Sequence, residues 1–146
     1  MSFDDNQSIL NSVEFLDILD DEQIKLLAFA SERKSFRAGE MIVEKGELSQ
    51  GAYIINQGFI LVGEDEKSFR IAGPGVMLGQ LSLLVKRVHH DNVMAQGQVD
   101  ALFVPRNIFQ KLLKQYPEIA ADMAKKIEAG LDDYLHSLDE YKNLNG

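Results

Sequence analysis

The sequence predicts a mainly β fold with flanking α-helices: a β-roll, jelly-roll-like in topology, with one N-terminal helix and two C-terminal helices. Glycines recur from Gly39 to Gly97, and short runs rich in β-branched and aromatic residues lie between them. Short strands separated by turn signals are typical of antiparallel sandwiches and barrels. Before residue 33 and after Pro105 the apolar residues instead recur at helical spacing.

Length and composition indicate a single domain over residues 1–146, with the β-roll at about 34–104 and a long C-terminal helix at about 117–142. The net charge of −8 argues against a general nucleic-acid surface, because phosphate binding needs clustered Lys and Arg. The chain has no cysteine, which excludes disulfides and thiolate metal sites. It also lacks a signal-peptide pattern and any 18-residue apolar window, so we expect a cytoplasmic protein with no membrane span.

The first element is predicted as one helix over residues 13–32. Ile24, Leu27 and Ala28 recur at helical spacing there. Asp20 followed three residues later by Gln23 is the pattern of a capping box.

Six β-prone runs follow, at 41–43, 52–56, 59–62, 69–72, 92–95 and 99–104. The segment 63–68 is polar and charged, which predicts a hairpin tip. The residues expected to point inward are Phe36, Ile42, Tyr53, Ile55, Ile60, Val62 and Ile71.

Two helices are predicted at the end of the chain, at 105–115 and from Pro117 to about residue 142. Along the second, the apolar residues Met123, Ile127, Leu131, Tyr134 and Leu138 have nearly heptad spacing. Two interpretations stay open: the stripe is the seam of a two-stranded homodimer, or the helix folds back over its own β-roll. We predict the homodimer.

Four segments in this order carry a family resemblance: FRAGEMIVEKGE at 36–47, AYIINQG at 52–58, GVMLGQLSLL at 75–84 and ALFVPRNIF at 101–109. Together they resemble the cyclic-nucleotide-binding domain family, which includes catabolite-activator-type regulators, kinase regulatory subunits and gated channels. The resemblance covers roughly residues 13–130. It implies a regulatory or sensory module, not an enzyme, that takes cyclic AMP or cyclic GMP as an effector and signals through a homodimer and an unknown protein partner.

The resemblance also implies a phosphate-binding cassette at a short helix, where backbone N–H groups and the helix dipole favour an anion. Gly79, Leu81 and Ser82 match the family pattern. Gln80 stands where the family has a Glu that accepts a hydrogen bond from the ribose 2′-OH, which weakens that contact. Counted without gaps, the family's phosphate-binding Arg is replaced by His89, and the adjacent His90 is also a candidate for ligand contact.

The source of the positive charge therefore stays open. Arg87 supplies it if the loop is two residues shorter, and Lys86 is a third candidate. Three outcomes remain: the pocket binds a cyclic nucleotide, binds another small anion, or binds nothing, in which case the fold is a dimerisation or interaction scaffold.

His89 and His90 do not predict a metal site, because adjacent residues on a strand point to opposite faces. Tyr134 is a candidate for stacking on a purine base, with a place in the dimer seam as the alternative.

The helix-turn-helix that follows the long helix in related transcription factors is not present before Gly146. A complete chain would therefore not bind DNA by that route, whereas a fragment of a larger regulator could.

Overall fold

Two four-stranded antiparallel sheets form the centre of the computed structural model, which describes residues 3–126. The strands are β1 (Glu32–Phe36), β2 (Met41–Val43), β3 (Gly51–Gln57), β4 (Ile60–Gly63), β5 (Arg70–Ala72), β6 (Met77–Leu78), β7 (Asn92–Ala95) and β8 (Val99–Pro105). The first sheet has the order β1-β8-β3-β6 and the second the order β2-β7-β4-β5. The predicted β-roll is confirmed.

A helical layer covers the first sheet. It contains α1 (Phe3–Asn11), a 3₁₀ helix (Glu14–Leu16), α2 (Asp21–Ala30), α3 (Arg106–Gln115) and α4, which begins at residue 117 and is helical to residue 126. Consecutive residues of β3 enter different cores: Ile54 packs with the helices, whereas Ile55 packs between the two sheets. The first sheet is therefore buried on both faces.

The single helix predicted over residues 13–32 is wrong, because the chain breaks there into separate elements. Asp20 is extended (φ −81°, ψ 175°), so it ends one segment and caps the next. Its carboxylate accepts a hydrogen bond from the Gln23 N–H, and the Gln23 side chain accepts one from the Asp20 N–H. The capping box is thus confirmed, but as the start of α2. The last predicted helical residue, Glu32, instead begins β1, which pairs with β8.

The six predicted strands are all present, and the inward orientation holds except at Ile71. That side chain is 61 % exposed. Ile71 pairs with Leu61, whereas Ile60 and Val62 on either side of Leu61 are buried between the sheets. Because side chains alternate along a strand, the residue opposite Leu61 faces outward. β5 is also an edge strand, so nothing covers its outer face.

The hairpin tip between β4 and β5 is confirmed. The Asp65 carboxylate accepts hydrogen bonds from the backbone N–H groups of Lys67 and Ser68, at 2.9 and 3.1 Å. This is the local side-chain to backbone bonding that favours Asp in tight turns.

The start of α4 packs on its own domain, which overturns the assignment of Met123 to a dimer seam. Ile119 and Met123 are buried in the core between the helices and the first sheet, and Met123 is fully buried. The Lys126 ammonium donates to the Glu14 carbonyl oxygen and lies 3.7 Å from the Asp17 carboxylate. The fold-back interpretation therefore holds as far as residue 126. The other predicted seam residues, Ile127, Leu131, Tyr134 and Leu138, lie outside the described residues, and so does the base contact at Tyr134.

Within residues 3–126, no helix has the length and apolar character needed to cross a lipid bilayer.

Candidate functional site

The predicted cassette forms a tight turn at the end of β6. Gly79 adopts a left-handed conformation (φ 75°, ψ 30°), which favours glycine, and a 3₁₀ helix over Gln80–Leu83 follows it. A Cβ on Gly79 would also lie 3.1 Å from the Gly51 carbonyl oxygen, so the turn sits directly on the start of β3. The predicted short helix is therefore a single 3₁₀ turn, held by a 2.9 Å bond from the Ser82 N–H to the Gly79 carbonyl oxygen.

A buried arginine, Arg106, holds this turn through hydrogen bonds to backbone carbonyl oxygens. One Nη atom of Arg106 donates to the Ser49 carbonyl oxygen at 2.6 Å and to the Ser82 carbonyl oxygen at 3.4 Å. The Arg106 backbone N–H bonds the Gln50 carbonyl oxygen at 2.9 Å. Arg106 is 7 % exposed, although it is the first residue of α3. No sequence motif assigns Arg106 a role, but one signal is available: a cation in the first turn of a helix opposes the helix dipole and so needs another role.

The segment that follows the cassette is extended and places two basic side chains on one face. The Arg87 carbonyl oxygen accepts from the Ser49 N–H, and the His89 N–H donates to the Glu47 carbonyl oxygen, both at 2.9 Å. Val88, between them, forms a bridge with Leu48 and is 47 % exposed. Arg87 and His89 are both half-buried. The two candidate phosphate partners therefore do not exclude each other, because alternation puts both on the inner face.

All the predicted cassette residues line a single cavity of about 260 Å³. They are Gly79, Gln80, Leu81, Ser82, Arg87, His89 and His90, with Val43, Tyr53, Val62 and Leu78 as an apolar wall. His90 is exposed at the rim. Lys86 lines a different cavity, together with Arg106 and Gln110, so it is not placed to contact a ligand of the cassette.

The electrostatics of the cavity depend on pH. Burial, together with the positive charge of Arg87, lowers the pKa of His89 from its ordinary value of 6.5. At pH 7 the standing positive charge is thus that of Arg87, with a neutral imidazole beside it. Asp91 also lines the cavity and brings a carboxylate to a region that would take an anion. Within the described part of the chain, no group of three or more His, Asp or Glu side chains could hold a metal ion.

The arrangement is suited to a small anionic ligand with an apolar portion. Backbone N–H groups at the start of a helical turn favour anions, a guanidinium donates two N–H groups to a phosphate, and Tyr53 and Leu78 offer apolar contact. The volume is close to the lower end of the range for small-molecule sites, about 300 Å³.

Comparison with known proteins agrees with this geometry. The family model "Cyclic nucleotide-binding domain" matches residues 33–116. A type II regulatory subunit of cAMP-dependent protein kinase from Drosophila melanogaster is 30 % identical over 133 residues, covering 88 % of this chain. The match covers 33 % of that relative, so this chain spans about a third of its length.

Two solved structures share the fold. A cyclic nucleotide-binding-like protein from Brucella abortus is 32 % identical with a TM-score of 0.67, and the match covers 75 % of this chain and 98 % of that one. The N-terminal domain of a Streptomyces coelicolor transcriptional regulator is 20 % identical with a TM-score of 0.75, covering 89 % and 94 %. By fold, cassette geometry and the match over 33–116, the chain belongs to the cyclic nucleotide-binding domain family.

Proposed function

We propose that this domain is a regulatory module that binds a cyclic nucleotide in the cassette cavity. The observation that supports this best is the convergence of the whole cassette on one cavity with a half-buried guanidinium, that of Arg87. The cyclic phosphate would lie against the backbone of residues 80–83 and pair with Arg87. The Gln80 amide oxygen would accept a hydrogen bond from the ribose 2′-OH, without the charge of the family's Glu.

The direct test is a melting curve with and without cyclic AMP, cyclic GMP or inorganic phosphate. A ligand that binds only the native state stabilises it by about 2.7 kcal/mol at a hundredfold excess over Kd. For a chain of this size, that corresponds to a rise of several degrees in Tm, since about 2–4 °C accompanies each kcal/mol. A rise with phosphate alone would favour another small anion. No rise with any ligand would favour the interaction scaffold.

His89 should make this binding depend on pH. The free imidazole has a lowered pKa, and a bound phosphate would raise it, so the bound state takes up a proton. Affinity for cyclic AMP should therefore fall as pH rises from 6 to 8. His89→Arg should remove most of this dependence and strengthen binding about tenfold, or 1.4 kcal/mol. Calorimetric titration at pH 6, 7 and 8 checks both results; a flat wild-type profile would show that His89 does not face the phosphate.

We also propose a C2 homodimer formed through the segment beyond residue 126. Ile127, Leu131, Tyr134 and Leu138 follow one another at intervals of four, three and four residues, which is the spacing of a coiled-coil seam. Met123 is not part of it, because its side chain is already buried within the domain.

Ile127→Asp should convert a wild-type dimer to a monomer at micromolar concentration without unfolding the domain. Sedimentation equilibrium measures the mass of each, and Lys125→Asp is a neighbouring control that changes charge at an exposed position outside the apolar stripe. A wild type that is monomeric, or an Ile127→Asp variant that dimerises unchanged, would contradict the proposed seam.

The rest of the proposal concerns the role of the domain in the cell. A cytoplasmic, non-catalytic module would act by changing the angle between its β-roll and its C-terminal helices when it binds a ligand. A protein partner would read that change. The family membership supports this role.

A further inference from the structure

The buried cation Arg106 has no anionic partner in the part of the chain that the structure describes. It is 7 % exposed, and among residues 3–126 no carboxylate lies within ion-pair distance of it. Within the described residues, its side-chain hydrogen bonds go to two neutral acceptors, the carbonyl oxygens of Ser49 and Ser82. Such bonds solvate a guanidinium but do not neutralise it, and a buried unpaired charge is costly to a fold.

The Arg106 guanidinium lies next to the cassette, because it bonds the backbone of Ser82. Ser82 contributes to both sides: it lines the ligand cavity, and its carbonyl oxygen accepts from the Arg106 guanidinium. Arg106 itself does not line that cavity. It lines the separate cavity that Lys86 also lines. The cassette turn therefore lies between a buried cation and the space where an anion would bind. In a poorly solvated region, two charges interact more strongly than they do at the same distance in water.

We propose that Arg106 is a positioning residue for the anion: it holds the Ser82 carbonyl group of the cassette and the neighbouring Ser49 carbonyl group in place, and the negative charge of a bound phosphate compensates its buried positive charge through the turn. This inference rests on the proposed function, because it assigns a second source of positive charge to the same site. It also explains why binding is expected to persist although His89 stands where the family has an arginine.

The test compares four proteins by calorimetric titration with cyclic AMP: the wild type, Arg106→Lys, Arg106→Gln and Lys111→Gln. Lys111 is an exposed residue of α3, so Lys111→Gln removes the same unit charge from the same helix. We expect Arg106→Gln to weaken binding about tenfold, Arg106→Lys to stay within about threefold of the wild type, and Lys111→Gln to stay within about twofold. The difference in binding free energy between the wild type and Arg106→Gln should change little with salt concentration, because a buried charge is screened much less than an exposed one. Rescue of binding by Arg106→Lys is the readout that separates the charge of the side chain from its shape.

A loss in Arg106→Lys as large as that in Arg106→Gln would overturn the proposal, because the shape of the guanidinium would then matter and not its charge. Arg106→Lys decides the question by itself if Arg106→Gln does not fold. A wild type that binds no cyclic nucleotide would refute the proposed function alone. Inorganic phosphate then decides this inference: phosphate should raise the Tm of the wild type and Lys111→Gln but not of Arg106→Gln, and an equal response or no response overturns it.

Discussion

Arg87→Ala is expected to weaken the binding of cyclic AMP about a hundredfold at pH 7.5, which corresponds to about 2.7 kcal/mol. Arg87 is half-buried in the cavity wall and is the one side chain there with a permanent positive charge among the described lining residues. Truncating a desolvated charged partner typically costs about 2–5 kcal/mol. His89 compensates only weakly at this pH, because the burial that lowers the pKa of His89 remains in the variant.

Lys86→Ala is the matched control for Arg87→Ala. Lys86 is the adjacent basic residue, but it is exposed and lines another cavity, so its removal should change the Kd by less than about threefold. Calorimetric titration of both variants beside the wild type measures the difference. Equal effects of the two substitutions would mean that only the general positive potential matters, and a negligible effect of Arg87→Ala would place the phosphate elsewhere.

Met123→Asp should lower the free energy of unfolding by about 4 kcal/mol or more, because it buries an unpaired carboxylate. The Met123 side chain is fully buried with Phe109 and Ile119 in the core between the helices and the first sheet. Urea denaturation followed by circular dichroism measures the change.

Met41→Asp is the control for that substitution. Met41 lies in β2 and is 38 % exposed, so a carboxylate there can stay hydrated and should cost far less. If Met123→Asp instead left stability unchanged and altered only the oligomeric state, α4 would have to leave its own domain in solution. Met123 would then belong to the dimer seam.

Local chemistry predicted the central strands and turns. Strand β7 was predicted with its observed bounds, and β3 and β8 to within one residue at each end. β3 and β8 contain β-branched and aromatic residues, which favour strands, and the turns nearby hold glycines with positive φ, such as Gly58 at 93°. The cassette cavity followed from the resemblance, and the structure brings its predicted residues together.

Features that depend on tertiary contacts were not predictable in this way. β1 has the charged sequence ERKSF, which looks like the end of a helix, and it becomes a strand because it pairs with β8. β6 has two residues, too few to show any period. The outward position of Ile71 follows from its register with Leu61. The stripe that includes Met123 is apolar in either interpretation, and only the packing of α4 separates them.

The double burial of the first sheet limits how a bound ligand could change the helices. The cavity touches the inner face of that sheet through Tyr53 and Leu78, whereas α2, α3 and α4 pack on its outer face. Close-packed interiors shift between discrete arrangements and do not deform continuously. A response to the ligand would therefore reach the helices as a rigid-body displacement of about 1–2 Å, carried by whole elements. The response to a bound ligand would thus be a change in helix position. The size of that displacement would be set by the packing of β3 and β8 and not by the affinity for the ligand.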